Sequence, residues 1–441
     1  MIVVGVMVGA ASHFGLLGLV GWDQLLEVSF LDYVIRYDRV PFEGFQIVYL
    51  DEGKHGAART GQADASLRSS HAALLRALTE AGAKVVAFDF YFASQEEEFD
   101  QDFAQAIAAA QAASPPVSVV VGTRQAVPKA RRPTGSGILN SQLGENSWGL
   151  LDVGNETSGR MGTLWRVRLA VDESRHSLLR QAELTPSLAL QIFMRLRFPG
   201  KDWSCHTTAT GLAIHVEDQE KVLHLPTDRN LAVIVRLPEM LAIERVNVDY
   251  DRLLEEWNQG RSLQTFRDQV VIVGMRSDLD RYRLSDSRTI DYQRSDIYGF
   301  EIQAAAVSTL LHGAYLTPLP FVWQFPLLIF MAALGVALRS RKSAGKGSRI
   351  QLKRLLGNLP LVPPIINESE LPFLLVAVIA VYLFLLLMVA RVAGIFTDLP
   401  YDISAFVLGY WAARRSLMKN AEATPSVRQE STPEEKRKND E

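Results

Sequence analysis

The sequence predicts an α/β extracytoplasmic domain with a mixed, partly parallel sheet, plus α-helical membrane segments, one N-terminal and three C-terminal. Three observations predict it. Residues 2–21 form a charge-free apolar stretch, and a second apolar cluster lies within 320–413. Between them, short apolar runs alternate with amphipathic stretches, the pattern of strand–helix–strand units.

A bilayer core of about 30 Å takes roughly 20 apolar residues in helical conformation. Residues 2–21 supply them, interrupted only by Ser12 and His13. A cleaved signal peptide fits less well, because the stretch lacks a charged n-region and a small-x-small cleavage site. The second span is 320–338, uncharged and followed by Arg339, Arg341 and Lys342; the third is 371–390, which carries no charge. The fourth, 399–413, holds Asp402 but ends in Tyr410 and Trp411 followed by Arg414 and Arg415, the pattern of an aromatic membrane exit.

Orientation follows from Lys and Arg in short loops. The loop 339–370 carries Arg339, Arg341, Lys342, Lys346, Arg349, Lys353 and Arg354, whereas the connection between the third and fourth spans holds only Arg391. The basic loop and the tail 414–441 are therefore expected in the cytoplasm, and 22–319 in the periplasm or outside the cell. Within the loop, 349–359 has basic and apolar residues on different faces, which suits an interfacial helix, a partner-docking site or a solvated loop.

The soluble domain reads in order. Residues 22–40 continue the first span as an amphipathic helix, equally suited to a dimer stalk and to packing on its own domain, so a homodimer is one assembly considered. A strand at 45–50, a helix at 70–81 ended by Gly82, a strand at 84–88, a helix at 99–113 and a strand at 117–121 make the first alternation. Residues 125–144, rich in Pro, Gly, Ser and Arg, read as a loop. Strands are expected at 164–171, 211–216 and 232–235 as antiparallel additions, and a helix at 186–196, started by Pro186. A buried strand at 270–274 and a helix at 300–312 close the domain.

Composition narrows the function. An apolar fraction of 48% suits one globular domain with a few spans, and a net charge of −3 predicts no nucleic-acid partner. The single cysteine, Cys205, can form no intramolecular disulfide and no thiolate metal cage. There is no G-x-S-x-G, Walker A, G-x-G-x-x-G or H-E-x-x-H motif, so no enzyme activity and no cofactor are expected.

The candidate ligand-binding residues are Asp51, Glu52 and Asp89, each just after an apolar run and therefore at the carboxyl end of a strand, where parallel α/β sheets bind ligands. Asp278, with Asp280, belongs to the same rim. Such carboxylates suit an amine or a hard cation; the plainer role is capping turns or pairing with Arg68.

The pieces LEVSFLDYVIRYD, IVYLDE, the Arg68/His71 helix start, GAKVVAFDFYF, Asp100, PSLAL, VVIVG and YGFEIQAAAVSTLLHG, in this order and followed by apolar segments, resemble the second type of CHASE domain. These are the cyclase- and histidine-kinase-associated sensory extracellular domains of bacteria, and the resemblance runs over 1–413. Two loops depart from the family pattern: GQADASLRSSH stands where a Trp-Pro element is common, and RSDLDRYRLSDSRTIDYQ where Asp followed by Thr-Pro is common. The family is typically joined to a cytoplasmic output domain, whereas a mixed-charge tail follows Ala413 here, so either the output is expected on another polypeptide or the family's signalling role has been lost.

The resemblance implies an inner-membrane sensor that binds an extracytoplasmic small molecule or protein and signals to a separate cytoplasmic effector. The alternatives are a membrane effector or pore component, which conductance in reconstituted bilayers would reveal, and an envelope-binding scaffold. All three are in contact with membrane lipid.

Overall fold

The longest apolar runs of the soluble domain become the central strands of one parallel sheet. The computed structural model describes residues 40–55, 65–92, 97–123, 143, 147–151, 166–172, 184–208, 211–227, 231–235, 240–283, 296–318 and 321–343, with positions 379, 381, 382, 385, 395, 396, 405–407 and 410. The described residues fall into two compact units, one within 28–318 together with 385–396, the other within 319–384 and 397–441.

In the first unit β1 (Phe45–Asp51) is followed by a single turn of helix, α1 (Glu52–His55), then α2 (Ala65–Glu80). Next come β2 (Val85–Tyr91), α3 (Glu97–Ala112), β3 (Ser118–Thr123) and β4 (Trp148–Leu150). The middle of the chain supplies short strands and α4 (Leu188–Arg197). The chain then returns through α5 (Met240–Arg245), β12 (Asn247–Asp249), α6 (Tyr250–Asn258) and β13 (Val270–Arg276) to α7 (Gly299–Leu311). The sheet order is β12-β1-β13-β2-β3-β4, with every neighbouring pair parallel.

Side-chain alternation along the strands fills two cores. Val48, Leu50, Val86, Phe88, Val119, Val121, Val271 and Val273 face α2, α3 and α6. Phe45, Ile47, Val85, Ala87, Val120, Val270 and Ile272 face α4 and α7. The crossovers β1–α2–β2, β2–α3–β3 and β12–α6–β13 all run in one direction along the sheet, and their helices share one face. The return from β4 to β12 runs the other way, and its helix α4 lies on the opposite face, as a single handedness requires.

The expectation of a mixed sheet is corrected in one respect: among the described residues, antiparallel strands do not join the main sheet. They form separate small sheets, β8 (Trp203–Thr208), β9 (Gly211–Val216) and β10 (Leu223–Pro226) in one, and β5 (Arg166–Arg168) with β11 (Ala232–Ile234) and β6 (Ala170–Asp172) with β7 (Leu184–Pro186) in two others. Leu212, Ile214 and Val216 of β9 turn their apolar face onto the α4–α7 core, so these strands act as a cover for it.

The α2–α3 layer holds a buried polar pair. Arg68 and Asp100 are both fully buried and form a salt bridge. Beside it His71 Nδ1 lies 2.9 Å from the Tyr250 hydroxyl, within a ring of Phe88, Phe90, Phe92 and Phe103. Burial raises the Tyr250 hydroxyl far above its ordinary pKa, so it stays protonated and can donate a hydrogen bond.

The second unit contains α8 (Phe321–Ser343), which covers the expected second span. Leu328 and Ala332 pack with Ala405, and a Cβ at Gly335 would lie 2.2 Å from the Phe406 carbonyl oxygen, a close helix approach that only glycine permits. Among the described residues no helix is long and apolar enough to cross a membrane. The expected first span and the stalk 22–40, most of 371–390 and 399–413, the loops 125–144 and 344–370 and the tail lie outside the described residues, apart from positions 40 and 143.

Candidate ligand-binding rim

Because β13 is laid between β1 and β2, its carboxyl end becomes the centre of the rim. The connection after β1 and the one after β2 lead to helices on one face, α2 and α3, whereas the one after β13 leads to α7 on the other. Adjacent strands whose connections diverge leave room for a crevice at their carboxyl ends, and β13 has such a neighbour on each side.

The side chains at these strand ends share one face. Tyr49 and Asp51 of β1 are in register with Gly274 and Arg276 of β13, and the residues between them, Leu50 and Met275, point into the opposite core. Asp89 lies between Phe88 and Phe90, which both enter that same opposite core, so its carboxylate points to the face of Asp51 and Arg276. It also sits in a register irregularity: β2 and β3 pair at Phe88↔Val121 and next at Tyr91↔Gly122. Such a bulge re-aims side chains at the end of a strand.

Helix α7 begins directly over this face. A Cβ at Gly274 would stand 2.4 Å from the Phe300 ring, so the glycine lets the first turn of α7 lie on the sheet. That turn is capped by the chain itself: Tyr298 N–H donates to Glu301 Oε2 at 3.0 Å and Gly299 N–H to Asp280 Oδ2 at 3.1 Å. Asn247 Nδ2 donates to the other Glu301 oxygen at 3.1 Å, tying α7 to the edge strand β12.

Electrostatics set the charge state. Burial, and then the charge of Asp280, push the Asp89 carboxyl well above the usual carboxylate range. The sign follows from linkage: ionisation is disfavoured in the folded chain, so this contribution is fully present below the unfolded pKa and is lost as pH rises through the folded one. Asp89→Asn is therefore expected to raise Tm at pH 7 and to leave it nearly unchanged near pH 3; melting curves of the two proteins across pH check this. An equal gain at both pH values would contradict it.

Arg276 is the cation of the rim. Its guanidinium lies 3.5 Å from the centroid of the Tyr49 ring and 5.8 Å from that of Tyr298. Tyr298 in turn stacks on Phe300 at 5.8 Å.

Of the four residues singled out in the sequence, the structure brings Asp51 and Asp89 to one face. Asp51 is half-buried, and its Oδ1 accepts from Gly53 N–H at 3.0 Å, the turn-capping role anticipated for it. Glu52 is the first residue of α1 and half-exposed. Asp278 is exposed and pairs with Arg281 at 3.1 Å, on the outside of the loop. Asp280, named beside it, is the one that reaches the rim. Sequence reasoning passed over Arg276, Tyr49 and Tyr298. The available signal was that Arg276 ends the run VVIVGM as Asp51 ends IVYL. Among the described residues no three His, Cys, Asp or Glu side chains are grouped to hold a metal ion.

A parallel sheet covered by helices on both faces, with charged side chains where connections diverge, is a doubly wound α/β domain, a class that binds ligands outside its strand ends. The CHASE2 domain family matches residues 3–338, and the chain belongs to that family, one of extracellular sensor domains. The match ends within α8, short of the 413 to which the resemblance was expected to run. Neither a curated protein nor a solved structure matches the chain.

Proposed function

We propose that this protein is a membrane-anchored extracytoplasmic sensor of a bacterial inner membrane, which binds a ligand at the rim and signals to a separate cytoplasmic effector. The observation that carries the reading is the convergence of Asp51, Asp89 and Arg276 on one sheet face beside the first turn of α7. Helix α7 runs from the rim for about 20 Å at 1.5 Å per residue, and the chain enters α8 ten residues beyond its end, from Leu311 to Phe321. A ligand that binds one placement of α7 better than another shifts that population, and the shift reaches the segment leading into α8. No reaction is assigned to the domain.

Two observations support the membrane frame. Thr317–Pro318 pairs in parallel with Ile395–Phe396. The first segment ends the α/β domain and the second joins the expected third and fourth spans, and the charge pattern leads both to be expected outside. On α8, Phe325, Ile329 and Phe330 are exposed apolar side chains, a surface suited to lipid.

The test is ligand-induced stabilisation of the full chain in lipid nanodiscs, with Ca2+, Mg2+, alkylamines and amino acids as probes. A rise in Tm with one of them, lost in Asp51→Asn and Asp89→Asn but kept when the exposed Lys201–Asp218 pair is removed by Lys201→Ala, is the expected result. A rise that persists in both rim variants would place the ligand elsewhere.

A further inference from the structure

We infer that the rim takes a small molecule through its carboxylate group, anchored by the Arg276 guanidinium, with the rest of the molecule lying along the strand ends. The inference rests on the rim reading above and adds the chemical class of the group that is recognised.

Arg276 ends β13, the strand at the centre of the rim, and is half-buried there. Its guanidinium is positioned by aromatic rings rather than by acceptors. The Tyr49 ring covers one flat side at 3.5 Å, and the Tyr298 ring stands 5.8 Å away. Stacking of this kind fixes the plane of the fork and leaves the N–H groups at its edge to act. Among the described residues those groups meet no hydrogen-bond acceptor, no carboxylate stands at ion-pair distance, and the Nε is buried. The register neighbour Asp51 turns an oxygen to the Gly53 N–H at 3.0 Å instead. A buried charged donor without an acceptor is costly, and the acceptors that match the planar fork are a carboxylate and a phosphate.

The surroundings choose between the two. Doubly wound domains hold a phosphate on the free N–H groups of a helix start. The start of α7, beside Arg276, is already filled by the chain's own carboxylates: Tyr298 N–H donates to Glu301 Oε2 at 3.0 Å and Gly299 N–H to Asp280 Oδ2 at 3.1 Å. A phosphate, with nearly two charges, would find one guanidinium and a helix start occupied by acids. A carboxylate brings a single charge and engages the fork with both oxygens.

Asp89 does not bar an anion from this place. It lies on β2, next to β13, and on the face of Arg276. Burial, and then the charge of Asp280, shift its carboxyl toward the protonated form, which repels an anion less than an ionised group does and brings an O–H donor to the rim. A lone cation would leave the Arg276 fork without an acceptor and add charge of the same sign beside it.

The experiment melts the full chain in lipid nanodiscs with propionate, succinate, benzoate and the standard amino acids, against chloride at matched ionic strength, inorganic phosphate, propylamine and Ca2+. At least one carboxylate is expected to raise Tm where the four controls do not. Arg276→Gln is expected to weaken its binding on the order of 10- to 100-fold, the worth of charge-assisted hydrogen bonds. Arg276→Lys, which keeps the charge and loses the flat fork, should weaken it in the same direction, and Lys201→Ala should leave it unchanged. Arg276→Met keeps the length and the contact with Tyr49 but not the donors; it should abolish binding while leaving the ligand-free Tm unchanged or raised. A lowered ligand-free Tm in that variant would show that the guanidinium serves the fold, and would overturn the inference. So would carboxylate binding that persists in Arg276→Gln. Stabilisation by phosphate alone, lost in Arg276→Gln, would overturn the carboxylate while leaving the rim an anion site. Stabilisation by propylamine or Ca2+ that ignores the Arg276 variants and is lost in Asp51→Asn would overturn the inference and leave the rim reading standing. No effect from any carboxylate overturns the inference, and silence from every probe overturns the rim reading with it.

Discussion

Asp100→Ala is expected to destabilise the protein by about 3–5 kcal/mol, because it removes one partner of a buried ion pair. Arg68 and Asp100 are both fully buried, and the Arg68 guanidinium lies over the Phe92 ring at 5.7 Å. Removing the carboxylate takes the ion-pair partner from a buried charge whose aromatic neighbour Phe92 is a poor substitute for it. Thermal unfolding of the full chain should show a fall in Tm of roughly 6–15 °C. The companion variant separates charge from packing. Arg68→Met combined with Asp100→Leu replaces the pair by apolar groups of similar size, and it should recover most of the loss, since a buried ion pair seldom outperforms good apolar packing. If Asp100→Ala alone costs under about 1 kcal/mol, the pair is solvated and the buried account of the α2–α3 layer is wrong.

Gly274→Val is the second large effect. A Cβ there would meet the Phe300 ring at 2.4 Å, and valine adds two methyl groups beyond it. Overpacking of this kind costs about 1–3 kcal/mol, with a directed consequence. The first turn of α7 must lift from the sheet, taking Tyr298 from beside Arg276 and Gly299 from Asp280. Ligand-induced stabilisation should therefore fall by more than the loss of stability explains. Combining Gly274→Ala with Phe300→Leu should restore part of both, and the cycle of single and double variants measures the coupling. Independent, additive effects would show that the contact does not position α7.

What could be read from the sequence depended on whether the information was local. Strands β1, β2, β3 and β13 are apolar runs buried on both faces, and such runs announce themselves. Strand β12 and helix α6 went unread because NVD is a half-buried edge strand of three residues, and α6 buries only Tyr250 and Leu253 among polar neighbours. Asp51 and Asp89 were legible as acids at strand ends. That they flank one strand, and that this strand ends in Arg276, was not. It depends on β13, the last strand of the sheet in the chain, inserting between the first two. Pairing across 185 residues, Val85 to Val270, or 225, Phe45 to Val270, leaves no trace in the spacing of either segment. The same holds for Arg68 and Asp100, whose partnership is set by the packing of α2 on α3 rather than by distance along the chain.

A sensor of this kind needs its α/β domain outside the membrane and its basic loop inside. Single cysteines at Gly135 and Lys346, in a Cys205→Ser background of the full chain, test this in intact cells with a membrane-impermeant thiol reagent admitted to the periplasm. Labelling of the first site alone, with the second reached only after the inner membrane is broken, is the expected result. Labelling of the second site in intact cells, or protection of the first, would contradict it.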